Sequence, residues 1–278
     1  MANRANIING AGIGLRSCHY KTIIETQPAI GWFEAVSENY MVDGGPSLNY
    51  LDAIRQNYPM VLHGVGLSLG STEPLNQTYL KKLKHLQERV EPTWISDHLS
   101  WSSAHGQYLH DLLPLPFTQE AINHVVERIR HTQDYLGTQI LIENPSSYFE
   151  FKEDEMTEWT FINTIANQAD CFILLDINNV YVSAINHGFD PEQYLANIAI
   201  NRVKQFHLAG FTDNKHYLFD THGELIKQPV WDLYQVALQR FGKVPTLIEW
   251  DQNIPPLSTL MAEANKAEVM MNQLREFA

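Results

Sequence analysis

The sequence predicts an α/β protein of the (β/α)8 TIM-barrel class, with residues 1–278 forming one domain. Three observations carry that prediction. Eight short apolar runs alternate with stretches of helical period along the whole chain. Six of those runs end in a histidine or a carboxylate. The 278 residues suit eight strand–helix repeats around one core, and no Gly/Ser/Pro-rich linker or charge block divides them.

The strand-like runs fall at 12–16, 31–36, 60–65, 94–99, 139–143, 171–177, 203–208 and 246–250. Between them apolar residues recur at i, i+3, i+4 and i+7. After Thr72, Pro74 opens a helix whose Leu75, Tyr79, Leu83, Leu86 and Val90 share a stripe. Thr118 is the N-cap of the next, with Glu120 near its positive end and Ile122, Val125, Val126 and Ile129 on the buried face. Pro229 starts a third, carrying Val230, Leu233, Tyr234 and Ala237, with Gly242 near its end. Leu257, Leu260, Met261, Ala264, Met271 and Leu274 mark the last helix.

His63, His98, Glu143, Asp176, His207 and Glu249 close six of the eight runs. In this class of barrel the C-terminal ends of the strands build the active site, so these side chains are expected to meet. Three imidazoles and three carboxylates form a donor set for divalent metals, and the nitrogen donors favour Fe, Mn or Zn over Mg. Carboxylates gathered at a barrel mouth without cations are electrostatically unfavourable, although any one of these residues alone is more often structural. Two positions before four of them stand Val61, Leu141, Leu174 and Leu247, expected one layer deeper in the barrel. Ser96 and Gln205 hold the equivalent places and are polar exceptions.

A second group lies in the loops. Asn179 follows Asp176 by one short turn, and Asp220 and His222 stand in the loop after the seventh strand. They suit a third metal position; they equally suit Asx-type turns. Asp97 is expected on the opposite face of its strand from His98. His187 is a weaker candidate, Glu38 and Cys18 lie near the expected mouth, and His85, His124 and His131 belong to helices and are expected in solvent.

The net charge of −13 argues against a nucleic-acid partner, which normally requires a basic footprint. No run approaches the roughly 20 apolar residues of a membrane span, and residues 1–6 lack the apolar centre of a secretion signal. With only Cys18 and Cys171 there is no disulfide framework. A cytoplasmic protein without membrane attachment is the expectation.

The contexts of these residues are distinctive: His63-Gly64-Val65-Gly66-Leu67-Ser68-Leu69-Gly70, Ser96-Asp97-His98-Leu99-Ser100-Trp101, Glu143-Asn144-Pro145, Asp176-Ile177-Asn178-Asn179-Val180-Tyr181 and Phe206-His207-Leu208-Ala209-Gly210. In that order they resemble the multinuclear non-haem iron-dependent oxidative enzymes, long catalogued as a domain of unknown function and related to the methanobactin biosynthesis oxidase. The likeness runs from Gly12 to about Asp251. It implies a xylose-isomerase-like barrel holding two or three iron ions in mixed Fe(II)/Fe(III) states, with O2 as co-substrate. By position, His63, His98, Glu143, Asp176, His207 and Glu249 would hold two irons, and Asn179, Asp220 and His222 a third. The implied substrate is a cysteine-containing, ribosomally made precursor peptide, oxidatively modified at cysteine and presented by a small partner protein.

Two other functions use the same residues. A two-metal sugar isomerase or phosphoester hydrolase of this barrel type needs only Glu143, Asp176, His207 and Glu249, and leaves His63 and His98 without a task. A metal-storage or peptide-carrier protein needs the whole cage but no reactivity towards O2.

Overall fold

In the computed structural model, which describes residues 7–104 and 107–274, eight parallel strands close into a barrel with helices outside it. Its first half contains β1 (Ala11–Gly14), α1 (Tyr20–Thr26), β2 (Phe33–Val36), α2 (Pro46–Arg55), β3 (Met60–Gly64), α3 (Gln77–Val90) and β4 (Ile95–His98). A hairpin of β5 (Trp101–Ala104) and β6 (Gln107–Leu113) then leaves the barrel. The wall resumes after α4 (Gln119–Leu136) with β7 (Leu141–Glu143), α5 (Glu158–Ala169), β8 (Phe172–Asp176), α6 (Ile177–His187), α7 (Pro191–Asn197) and β9 (Val203–Leu208). A second small hairpin, β10 (Thr212–Asp213) and β11 (Leu218–Phe219), precedes α8 (Gln228–Phe241), β12 (Thr246–Ile248) and α9 (Leu257–Gln273). The barrel order is β1-β12-β9-β8-β7-β4-β3-β2, so β1 and β12 close the ring. The eight runs expected from the sequence are the eight barrel strands, most of them trimmed by one or two residues at an end.

Strand alternation divides the apolar residues into two cores. Outward-facing Leu62, Ile95, Ile142, Ile173, Leu175 and Phe206 pack in one large cluster with helix residues such as Leu83, Ile129, Phe161, Val180 and Tyr234. Inward-facing Val61 and Leu247 form a separate small cluster with Ile8 and Trp32, the apolar floor of the barrel. Leu141 and Leu174 are also fully buried and belong to neither cluster.

Several helix boundaries follow from local chemistry. Thr118 caps α4 by accepting from the Ala121 amide, as expected, and Gly137 ends it in the left-handed region. The helix expected from Pro74 begins instead at Gln77, because the Asn76 side chain accepts from the Thr78 and Tyr79 amides and fixes the start there. Pro74 and Leu75 remain in the preceding loop. No helix among the described residues is long and apolar enough to cross a membrane.

Gly12 is required by the floor. A Cβ there would stand 2.4 Å from two ring atoms of Trp32, which is fully buried. Gly12→Ala should destabilise the fold by about 1–3 kcal/mol through overpacking, read as a lower urea midpoint. An unchanged midpoint would show that the Trp32 ring yields freely.

Candidate metal centre

The barrel carries its polar side chains to one end. His63, His98, Glu143, Asp176 and His207 lie in the last two residues of β3, β4, β7, β8 and β9, and Glu249 directly follows β12. Register brings them together: His98 pairs across the sheet with Glu143, and Asp176 with His207. His63 Nε2 is 3.4 Å and His98 Nε2 3.3 Å from Glu143 Oε2. On the other side of the same carboxylate, His207 Nδ1 lies 3.5 Å from Glu143 Oε1 and 3.0 Å from Glu249 Oε2.

Among the described residues, three groups of side chains present ligand atoms at distances from one another that could hold a metal ion. They are His63, His98 and Glu143; Glu143, Asp176, His207 and Glu249; and His222, Glu249 and Asp251. Glu143 belongs to the first two and Glu249 to the last two, so each shared carboxylate stands between neighbouring groups. A carboxylate with one oxygen towards each of two cations is the usual bridge of a multinuclear site.

Unsatisfied polar atoms test whether cations fit. Buried polar groups in folded proteins nearly always have a hydrogen-bond partner. Here both Glu143 oxygens, Asp176 Oδ2, His63 Nε2 and Asn179 Oδ1 are buried without one. The other side-chain polar atoms of His63, Asp176 and Asn179 each have a partner. The Ser96 hydroxyl accepts from His63 Nδ1–H at 2.8 Å while donating to the Leu62 carbonyl, and the Gly64 carbonyl accepts from His98 Nδ1–H at 3.2 Å. Each of these two rings thereby turns an Nε2 lone pair towards Glu143. Asp176 is at once the end of β8 and the N-cap of α6: its Oδ1 accepts from the Asn179 amide at 2.6 Å, leaving Oδ2 unused. Asn179 donates its amide NH2 to the Asn144 carbonyl, leaving Oδ1 unused. Acceptors left bare in this way fit cations.

Asp220 and His222 come together, with Oδ1 2.5 Å from Nε2, and Asn178 donates to the same Asp220 oxygen at 2.8 Å. His222 holds φ at +45°, a left-handed conformation uncommon outside glycine and often concentrated at functional sites. Its Nδ1 faces Glu249 Oε2 at 3.3 Å and Asp251 Oδ2 at 3.1 Å. Asp251 was not among the residues singled out from the sequence. It lies just beyond the last strand, and its other oxygen pairs with Arg16, whose Nε donates to the Trp250 carbonyl.

The remaining candidates have structural partners. Asp97 points away from Glu143 and accepts from the Leu67 and His98 amides, and burial, reinforced by the Glu38 charge, pushes its carboxyl up to about 7. Glu38 accepts from Tyr79 Oη at 2.5 Å and from the Val65 amide, pinning the loop after β3 rather than joining the cluster. His187 Nε2 contacts Ser147, and His124 is half-buried with Nε2 2.8 Å from the Ser71 carbonyl, contrary to the solvated position expected for it. His85 and His131 are exposed.

The cluster opens into a cavity of about 1170 Å³, lined among others by Arg16, Cys18, Val65, Tyr148, Phe219 and Ile254. Small-molecule pockets typically measure about 300–1,000 Å³, so this one has room for a larger substrate. Cys18 is exposed on its wall, whereas Cys171 is buried and its thiol is pushed up to about 12 by burial.

Comparison with known proteins places the chain. The family model for the RiPP precursor modification enzymes MbnB/TglH/ChrH matches residues 10–272. A UPF0276 protein of Acaryochloris marina is 54% identical over 268 residues, covering 96% of this chain and 97% of the relative. Another, from Anaeromyxobacter sp., is 53% identical over 258 residues, covering 93% and 91%. Among solved structures, endonuclease IV from Thermus thermophilus superposes with a TM-score of 0.62 at 14% identity, over 95% of this chain and 98% of that one. The E. coli 3-keto-D-glucoside 4-epimerase gives 0.61 at 11%, over 94% and 99%. At such identities the structural likeness establishes the xylose-isomerase-like barrel and nothing of the chemistry.

Without metal the cluster must balance its charge with protons. Burial opposes the charged form of His207, but Glu34, Glu249 and Glu143 outweigh it and hold its pKa well above 6.5. His222 is raised in the same way, against burial, by Asp220 and Glu249. Burial, then the Glu143 charge, raises Asp176 well above its ordinary range. Glu143 goes the other way: although burial pushes it up, His98, His207 and His63 hold it at about 2, and Glu249 is likewise lowered by His207 and His222. Groups with raised pKa stabilise the fold below their unfolded values and lose that contribution as pH climbs through the raised ones. The lowered carboxylates contribute above their unfolded values, near 4.5, and lose it as pH falls. On the account of the two histidines and the two lowered carboxylates, chelator-treated protein should therefore melt at its highest temperature between about pH 4.5 and 6.5 and progressively earlier as the pH rises above that window. A melting temperature flat across the alkaline limb would contradict the proton balance.

Proposed function

The chain belongs to the MbnB/TglH/ChrH family of RiPP precursor modification enzymes, and on that premise we propose that it oxidatively modifies cysteine residues of a ribosomally made precursor peptide, using O2 and two or three iron ions. The observation that carries the proposal is the chain of three ligand groups linked through Glu143 and Glu249, with bare acceptor atoms at the floor of a large open cavity. His63, His98, Glu143, Asp176, His207 and Glu249 would hold two irons, with Asn179, Asp220 and His222 serving a third. Iron held by these residues would supply the redox chemistry towards O2.

The protein's own part is orientation and enclosure. Ser96 and the Gly64 carbonyl fix the ring orientations of His63 and His98, so both rings present Nε2 without rearrangement. Asn144 clamps Asp176 from both sides of its peptide, accepting from the Asp176 amide at 2.9 Å and donating to its carbonyl at 3.0 Å. Val36, Val65, Leu112 and Ile254 supply apolar wall to the cavity above the cluster. Arg16 is held at the rim by Asp251 and the Trp250 carbonyl. The cavity volume favours a peptide segment over a single sugar. A small presenting partner protein belongs to the same proposal.

Reconstitution under anaerobic conditions with Fe(II) should give more than one iron per chain. Admitting O2 with the cysteine-containing peptide encoded beside the gene, together with its presenting partner, should change the peptide's mass at cysteine. His63→Ala and Glu143→Ala should each weaken iron binding by more than the roughly 10–100-fold typical of losing a group that only orients a ligand, and abolish that mass change. An iron-loaded enzyme that leaves the peptide untouched, or Zn-loaded protein that turns over a sugar without O2, would overturn the proposal.

A further inference from the structure

Beneath the cluster, in a layer whose other described polar member is Ser96, lies a second set of buried polar side chains. Glu34 on β2 and Gln205 on β9 face inward at the depth at which other strands carry Val61, Leu141, Leu174 and Leu247, and both are buried. Trp94 Nε1 lies 2.5 Å from Gln205 Oε1; because an indole only donates, this fixes which way the Gln205 amide faces. Gln205 Nε2 consequently donates to Glu34 Oε2 at 2.7 Å. The same Glu34 oxygen is 3.1 Å from His207 Nε2. A buried carboxylate here has no lysine or arginine beside it among the described ion pairs; its charge is answered by the imidazole.

We infer that Glu34 is a positioning residue that makes His207 bind metal through Nδ1, in contrast to His63 and His98, which offer Nε2. His207 Nε2 faces two groups, the Glu34 carboxylate and the Gln205 amide at 2.9 Å. The Gln205 NH2 can only donate, so on its own it would favour a bare Nε2 and leave the proton on Nδ1, facing Glu249 at 3.0 Å. A ring in that tautomer has no lone pair for the cluster. Glu34 reverses the preference: its carboxylate accepts Nε2–H, and Nδ1 is left bare between Glu143 and Glu249. The arrangement is a carboxylate–histidine–metal relay, in which the outer carboxylate fixes the tautomer and raises the basicity of the ligand. The same carboxylate also holds Gln205, and through it Trp94, so the depth of the His207 ring in the barrel is set from below.

The inference rests on the metal-centre reading above, and the test separates the two. Zn(II) serves as a diamagnetic probe, with chelator competition for affinity and long-range 1H–15N spectra of 15N-histidine protein for the tautomer, His207 being assigned by its loss in His207→Gln. Wild-type protein should show the His207 imidazole bound through Nδ1 with a proton on Nε2. Glu34→Gln, which keeps an acceptor without the charge, should weaken Zn(II) binding about 10-fold, and Glu34→Leu about 100-fold with loss of the His207 Nε2–H signal. Wild-type His207 bound through Nε2 would overturn the inference even if neither variant folds. So would folded Glu34→Leu protein with unaltered affinity. Wild-type protein that binds no Zn(II) would overturn the metal centre itself, and this inference with it.

Discussion

Glu143 sits at the centre of the molecule's chemistry with three imidazoles within 3.5 Å and no hydrogen bond to either oxygen. A fully buried carboxylate in that condition is costly unless positive charge stands beside it. Protons on His98 and His207, both raised above the ordinary imidazole range by neighbouring carboxylates against the effect of burial, provide that charge in one state, and divalent cations would provide it in the other. The barrel therefore has to hold its strand ends in register, since a slip of one residue would turn every donor from the mouth towards the helices. The tight apolar packing on both sides of the wall serves that requirement: Trp32, Val61 and Leu247 fill the interior below, and the helix-facing side chains lock each strand from outside.

Much of this could be read from the residues. The eight strands were visible as short apolar runs, and the six inward-facing donors as their terminal residues, because a period of two forces a strand's last inward position to the mouth. The pairing of His98 with Glu143 and of Asp176 with His207 was not visible, as register depends on tertiary closure. The two hairpins were missed for a different reason. The residues of β5 and β6 lack apolar alternation, and β10 and β11 are only two residues each, too short for any periodic signal. At the start of α3, proline at a first helical turn and asparagine as a cap make competing signals close together in the chain, and the cap prevails.

Ser96 and Gln205 are the instructive cases. As polar residues in an apolar layer they weakened the expectation of a regular inward register. In the fold they obey that register and use it: Ser96 orients His63 directly, and Gln205 meets Glu34 and His207. Glu34 carries no such signal in the sequence, because it stands two residues before the end of its strand, in a run with no donor at its tip. Asp176 shows that a capping role need not use up a carboxylate. One oxygen caps α6 and the other remains bare, so the turn chemistry that could have explained the residue away also aims it.

The most direct measurement is anomalous diffraction at the iron absorption edge from crystals grown anaerobically with Fe(II). Separate anomalous peaks are expected on either side of Glu143, each within coordination distance of at least one imidazole nitrogen and one carboxylate oxygen. Crystals that diffract well and show no anomalous density among His63, Glu143, Asp176 and Glu249, with the carboxylates protonated or turned away, would contradict a multinuclear metal centre at this barrel mouth.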